Sequence, residues 1–242
     1  MRTGFYKCEY HVNDAGGRSV MFVRDGCMLG GNSGFAHIGA YRSDGDQLVA
    51  EIESRRHCFD PDYQSLLGQD VATISVTGSA CGDNYRFEGT SPQMPGARFR
   101  SLMTSLDDSE MPPAGEIGEG GIVNGLYSIH LRTLDGVDGG LTGVMLLQDG
   151  RILGGDASFY YLGAYSSADG RWKGEVLNQE HTPSLGEVPV FGGYEIGIGF
   201  SGTCDGDSAE LEATALAGKR SLRLQANLKL IRRTEVLAAA AA

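Results

Sequence analysis

The chain states one long pattern twice. Leu29-Gly30-Gly31-Asn32-Ser33-Gly34-Phe35-Ala36-His37-Ile38-Gly39-Ala40-Tyr41 returns as Leu153-Gly154-Gly155-Asp156-Ala157-Ser158-Phe159-Tyr160-Tyr161-Leu162-Gly163-Ala164-Tyr165. The offset is 124 residues (154 minus 30). Solenoid units repeat every ~20–50 residues, so this period marks a copied domain. A chain of 242 residues accommodates two such units, each large enough to bury its own core. The division expected is 1–106 for the first unit, 107–123 for a linker, 124–233 for the second unit and 234–242 for a tail, whose Ala238–Ala242 run is set aside from fold reasoning.

Inside each copy the hydrophobic period is two, the signature of strands. Tyr127, Ile129 and Leu131 share one face, while Ser128, His130 and Arg132 share the other. Tyr6, Cys8, Tyr10 and Val12 alternate with Lys7, Glu9 and His11 in the matching stretch. Leu48, Ala50 and Ile52, then Tyr194, Ile196, Ile198 and Phe200, then Leu222, Leu224, Ala226, Leu228 and Leu230, repeat the alternation. One apolar face and one wet face indicate antiparallel sheet. Asp25-Gly26 and Asp149-Gly150 stand between apolar runs as two-residue hairpin signals. Asp44-Gly45-Asp46, Asp169-Gly170, Gly82-Asp83 and Gly206-Asp207 mark further hairpins. The 37 glycines, about twice the usual ~7%, fit a chain of tight turns. The fold class expected is all-β: two tandem antiparallel up-and-down β-barrels of about eight strands each, closure removing the edges that would otherwise aggregate. Pro61 to Gly68 predicts one short helix, and Pro183 to Pro189 a weaker counterpart; either would plug or lid a barrel end. Residues 107–121, rich in acids, glycine and paired prolines, read as a solvated linker.

Charge narrows the partners. A formal net charge of -11 and a pI near 4.9 disfavour phosphate backbones and anionic lipid. The five cysteines, Cys8, Cys27, Cys58, Cys81 and Cys204, are odd in number and lack CxxC spacing. The first residues have no apolar signal region, and no apolar run nears the ~20 residues of a membrane span. A cytoplasmic protein with free, mostly buried thiols is expected.

The second copy opens Asn124-Gly125-Leu126-Tyr127-Ser128 and continues Asp149-Gly150-Arg151-Ile152-Leu153-Gly154-Gly155-Asp156, then Phe159-Tyr160-Tyr161. This pattern, with its later Gly-rich strand, resembles the GrlR family of negative regulators of type III secretion genes. The first copy is similar, with Asn32 for the acid and Ala36-His37 for the tyrosine pair. The resemblance implies a small lipocalin-like β-barrel. It also implies a role in binding a transcriptional activator and holding it inactive through protein contact. Relatives of this kind have one barrel and can pair, so two fused copies resemble a covalent dimer. The shared residues are turn glycines and aromatics, which specify a fold and name no chemistry.

Several constellations are candidates for function. Phe35, His37 and Tyr41 share one strand face, as do Phe159, Tyr161 and Tyr165, while Tyr160 points the other way. If inward, these six either fill the barrels or line a small ligand cavity, both of which an eight-stranded barrel permits. Gly30-Gly31 and Gly154-Gly155 lack the context of a phosphate loop and read as a strand bend or bulge. His57 and His181 occupy matched positions; a loop-anchoring hydrogen bond is the first reading and a ligand or acid–base role the second. No metal-ligand spacing and no nucleophile elbow is present, so no metal, no cofactor and no catalytic residue is expected. Asp44, Asp46 and Asp169 sit at hairpin tips, where they either meet a basic protein partner or simply suit the turn. The function expected is non-enzymatic regulation through a protein partner, with transport of a small apolar ligand as the alternative.

Overall fold

A computed structural model describes residues 1–59, 64–134, 140–183, 191 and 195–234. The first unit contains β1 (Gly4–Val12), β2 (Ala15–Arg24), β3 (Cys27–Gly31), β4 (Phe35–Asp44), β5 (Gln47–Arg56), β6 (Val71–Cys81), β7 (Asn84–Thr90) and β8 (Phe99–Ser105). The second contains β9 (Gly125–Thr133), β10 (Gly140–Gln148), β11 (Arg151–Gly155), β12 (Phe159–Ala168), β13 (Arg171–Glu180), β14 (Ile196–Asp205), β15 (Ser208–Ala217) and β16 (Arg220–Arg233). Each strand pairs with its chain neighbours, and β8 returns to β1 as β16 returns to β9. Both units are therefore closed, antiparallel, up-and-down barrels of eight strands, as the alternation predicts.

The turns follow their residues. Asp25-Gly26, Asp149-Gly150 and Asp169-Gly170 all have positive φ at both positions, the conformation of a type I′ hairpin, whose twist matches that of its strands. No helix occurs among the described residues. The expected helix over Pro61–Gly68 is corrected for its described part. Ser65 Oγ donates to the Gln69 carbonyl at 2.6 Å and accepts from the Gln69 N–H at 3.2 Å, local bonds that compete with a helix. The counterpart over Pro183–Pro189 falls mainly outside the described residues. Leu67 and its matched residue Phe191 are each buried in the core of their own barrel.

The two interiors form separate apolar clusters. Tyr6, Met21, Met28, Ile74, Val76 and Phe87 belong to the first, and Tyr127, Met145, Tyr165, Trp172, Phe200 and Leu224 to the second. A third cluster lies between the barrels. It joins Phe5, Val20, Leu29, Ala36 and Ile38 to Leu126, Val144, Leu146, Leu153, Tyr160 and Leu162. Strands facing this seam are apolar on both sides, so the run Val20–Val23 has no polar face. The contacts are reciprocal, as in a twofold pair. A Cβ built on Gly31 would lie 2.8 Å from Val144 Cγ1, and one on Gly155 would lie 2.9 Å from Val20 Cγ1.

Each barrel has a floor and a mouth. At the floors, Tyr6 Oη donates to the Arg2 carbonyl at 2.9 Å and Tyr127 Oη to the Val123 carbonyl at 2.8 Å. The linker is exposed along most of its length but not merely solvated. Its second half is strapped to the floor of the second barrel. Ser167 N–H donates to the Glu116 carbonyl, Asp169 N–H to Glu119 and Gly170 N–H to Gly120, each at 2.9 Å. Ser167 Oγ, inside the barrel wall, accepts the Ile122 N–H at 2.9 Å. The expectation of mostly buried thiols is corrected: Cys8 and Cys204 are buried, Cys27 and Cys58 are partly so, and Cys81 is exposed where β6 turns into β7.

Candidate ligand cavity

The mouths of both barrels open into one cavity of about 1450 Å³. Its walls come from the inward faces of the strands and from the loops at the mouths, so interior residues of both copies line it. Phe35 and His37 of β4 and Phe159 and Tyr161 of β12 are among them. Tyr160 points outward into the seam, with its ring edge-on to Phe5 at 6.1 Å. The predicted parity of both strands therefore holds.

Tyr41 and Tyr165 are the correction. They share the inward face but lie outside the cavity wall. Four residues of strand span roughly 13 Å, which carries them from the mouth to the floor. Tyr41 Oη reaches the Met1 carbonyl at 3.4 Å. Tyr165 is almost fully buried and packs edge-on against Trp172 at 6.2 Å. Both are floor packing.

The polar groups of the wall repeat by position and differ by chemistry. His37 pairs across the sheet with Ser54, and the matched Tyr161 pairs with Asn178. All four line the cavity. His37 is 7% exposed and Asn178 4%. Neither His37 ring nitrogen has a hydrogen-bond partner, nor does Asn178 Nδ2. The Tyr10 ring meets the His37 ring edge-on at 5.8 Å. Burial, helped by nearby His57, pushes the His37 imidazole down to about 4, so it is neutral at pH 7.

At each mouth a matched side chain fastens the loop before the aromatic strand. Asn32 Oδ1 accepts the Gly34 and Phe35 N–H groups at 3.0 and 2.9 Å. Asp156 Oδ1 accepts those of Ser158 and Phe159 at 2.7 and 2.8 Å. Burial raises the Asp156 carboxyl to about 6 in spite of those two bonds, which act the other way. His57 Nε2 meets the Asn32 carbonyl at 2.9 Å, and His181 Nε2 meets the Asp156 carbonyl at 3.4 Å. A carbonyl only accepts, so these nitrogens carry hydrogen. The matched histidines are loop anchors. Burial lowers both, His181 to about 4. The Leu-Gly-Gly repeat ends β3 and β11 at the seam, where a Cβ on Gly31 or Gly155 would collide with the facing barrel. Thr142 Oγ1 donates to the Ser33 carbonyl at 2.8 Å and ties the two mouths together.

The acidic tips stand elsewhere. Asp44, Asp46 and Asp169 are exposed on floor-side hairpins, at the end of the strands opposite the cavity. Asp44 lies 3.7 Å from Arg42, and Asp169 has the positive φ its turn demands. Among the described residues no cluster of three or more His, Cys, Asp or Glu is arranged to hold a metal. Sequence reasoning missed the mouth clasp and Asn178. The clasp has a legible signal, Gly-Gly-Asn/Asp-x-x-Phe in both copies; Asn178, one amide in a strand, has none.

No protein-family model matches the chain, and no curated protein matches it. Among solved structures, a provisionally assigned outer membrane protein of Bacteroides fragilis NCTC 9343 aligns over 94% of this chain and 96% of its own, at 11% identity and a TM-score of 0.25. A protein of unknown function from the DUF3598 family of Nostoc punctiforme PCC 73102 aligns over 95% and 96%, at 6% identity and a TM-score of 0.23. Likeness at this level carries no functional argument.

Proposed function

We propose that the protein is a non-enzymatic carrier of a small apolar molecule held inside its barrels. The observation behind this reading is the cavity of about 1450 Å³, walled by Met21, Met28, Phe35, Ile74, Phe159 and Tyr161 among others. Pockets for small ligands run ~300–1,000 Å³, so two barrels that open into this volume have room for a molecule each. Native mass spectrometry of the full chain tests it. A co-purified apolar ligand, or uptake of an added one, is the expected result. A bare mass that no apolar compound changes overturns it.

A second reading follows the GrlR resemblance: regulation by holding a protein partner, such as a transcriptional activator. Exposed Asp44 and Asp46, on a chain of net charge -11, favour a basic partner. The expected result is a stoichiometric partner in a native-host pull-down, lost when both become Asn. Recovery of none counts against it. We assign either role to the cytoplasm, which the five free thiols support.

A further inference from the structure

Charged side chains are not spread over the cavity wall. Among the described residues, the Asp, Glu, Lys or Arg side chains that line it are Glu9, Arg18 and Asp156. All three stand at the lip where the two barrels meet. Glu9 and Arg18 lie opposite one another on β1 and β2. Cys8 and Tyr10 point into the first barrel, so Glu9 between them points out. The pair is close enough to His181 of the second barrel to bear on its charge, and His181 in turn meets the Asp156 carbonyl. Glu9 and Arg18 are half-buried, and neither side chain has an ion pair or hydrogen bond among the described residues. Across the same lip, Ser33 and Thr142 also line the cavity.

From this lip the cavity runs into two apolar chambers. Met21, Met28 and Val76 wall the first, and Met145, Val176 and Phe200 wall the second. A ligand that fills the whole volume is therefore apolar at two ends and polar in the middle. One long unbranched chain does not fit that pattern, because it would lay methylenes on charged groups and strip them of water. Two single-chain amphiphiles would crowd two heads onto one lip. Two chains joined at one head match it once, and the join makes entry of the second chain intramolecular. The volume of about 1450 Å³ also exceeds the ~300–1,000 Å³ of a pocket for one compact ligand. One guanidinium against two carboxylates leaves no surplus positive charge at the lip, which disfavours an anionic head.

We infer that the two barrels form a single site for a two-chain amphiphile with an uncharged polar head, of the diacylglycerol class. One chain enters each barrel, and the head rests at Glu9, Arg18 and Asp156. The inference rests on the carrier reading and deepens it.

The test is native mass spectrometry of the full chain titrated with 1,2-didecanoylglycerol or 1-monodecanoylglycerol. Val76→Phe fills the first chamber and Ala213→Phe the second, both positions being buried on the cavity wall. Wild type should bind one didecanoylglycerol or two monodecanoylglycerols. Each variant should keep one monodecanoylglycerol at unchanged affinity. Each should bind didecanoylglycerol about a hundredfold more weakly, because the join no longer serves a second chain. Two didecanoylglycerols on wild type, or a variant that holds didecanoylglycerol as tightly as wild type, overturns the inference while leaving the carrier reading intact. So does didecanoyl phosphatidate, with the same chains on an anionic head, if it binds as tightly as didecanoylglycerol. Failure of every one of these ligands to bind overturns both readings. If a filled variant loses its β-sheet circular dichroism, competition on wild type decides. One didecanoylglycerol should expel both monodecanoylglycerols; a complex holding one of each refutes the shared site.

Discussion

Val20 of the first barrel packs onto Gly155 of the second, and the matched Val144 packs onto Gly31. The second glycine of each repeat thus lies on the surface where the two copies meet. Gly155→Ala places a methyl 2.4 Å from the Phe159 carbonyl oxygen of its own barrel and 2.9 Å from Val20 Cγ1 of the other. It should lower stability by about 1–3 kcal/mol, the usual cost of overpacking. Adding Val20→Ala should recover part of that loss, because it removes one of the colliding groups. A urea-denaturation double-mutant cycle isolates the Val20 share of the cost; strict additivity would contradict contact between Val20 and residue 155.

Acid should weaken the fold before it protonates most carboxylates. His37 and His181 are each pushed from 6.5 to about 4 by burial, and His57 is lowered for the same reason. The unfolded chain therefore binds more protons than the folded one below pH 6.5. Stability is complete above that pH and falls as pH drops towards 4. Asp156 opposes this. Its carboxyl, raised to about 6 from 3.8, makes the folded state the better proton binder between those values. Three histidines outweigh one carboxyl, so the urea midpoint should decline from pH 6.5 to 4.5.

Asp156→Asn separates the two contributions. Asn32 shows that an amide makes the same pair of loop bonds at the matched site. The variant should be more stable than wild type at pH 7, where the half-buried carboxyl is charged. That advantage should vanish near pH 4. A gain that does not change with pH would place its origin elsewhere.

The linker strap depends on Ser167, which is buried, accepts the Ile122 N–H and donates to the Arg171 carbonyl at 3.1 Å. Ser167→Ala leaves a buried N–H unpaired and should cost about 1–3 kcal/mol. Hydrogen exchange should quicken at Ile122 and along 115–121.

Much of this architecture is written in the chain, and the exceptions have physical causes. Alternation at Tyr127, Ile129 and Leu131 announces strands because side chains in a strand change face at every residue. Parity separates Tyr161, inside, from Tyr160, in the seam. Parity is silent about depth, so Tyr41 and Tyr165 read as cavity wall though they pack the floor. The seam was veiled for a related reason. Val20, Leu29 and Ile38 are apolar on an outward face, and outwardness depends on a neighbour that no local pattern names. Residues 115–121 have the composition of open loop, while their backbone bonds to the second barrel involve no side-chain signature. His37 was legible as a residue of interest; its unpaired nitrogens follow only from what the closed barrel places around it.

The central claim is that each barrel interior accepts an apolar molecule. Its most direct measurement is the binding stoichiometry of N-phenyl-1-naphthylamine to the full chain and to two filled variants, Val76→Phe in the first barrel and Ala213→Phe in the second. Both positions are buried and face the cavity. The account predicts saturable binding to wild type, with each variant losing the share of its own barrel and keeping its β-sheet circular dichroism. Absence of saturable binding, or binding that neither variant alters, would contradict it.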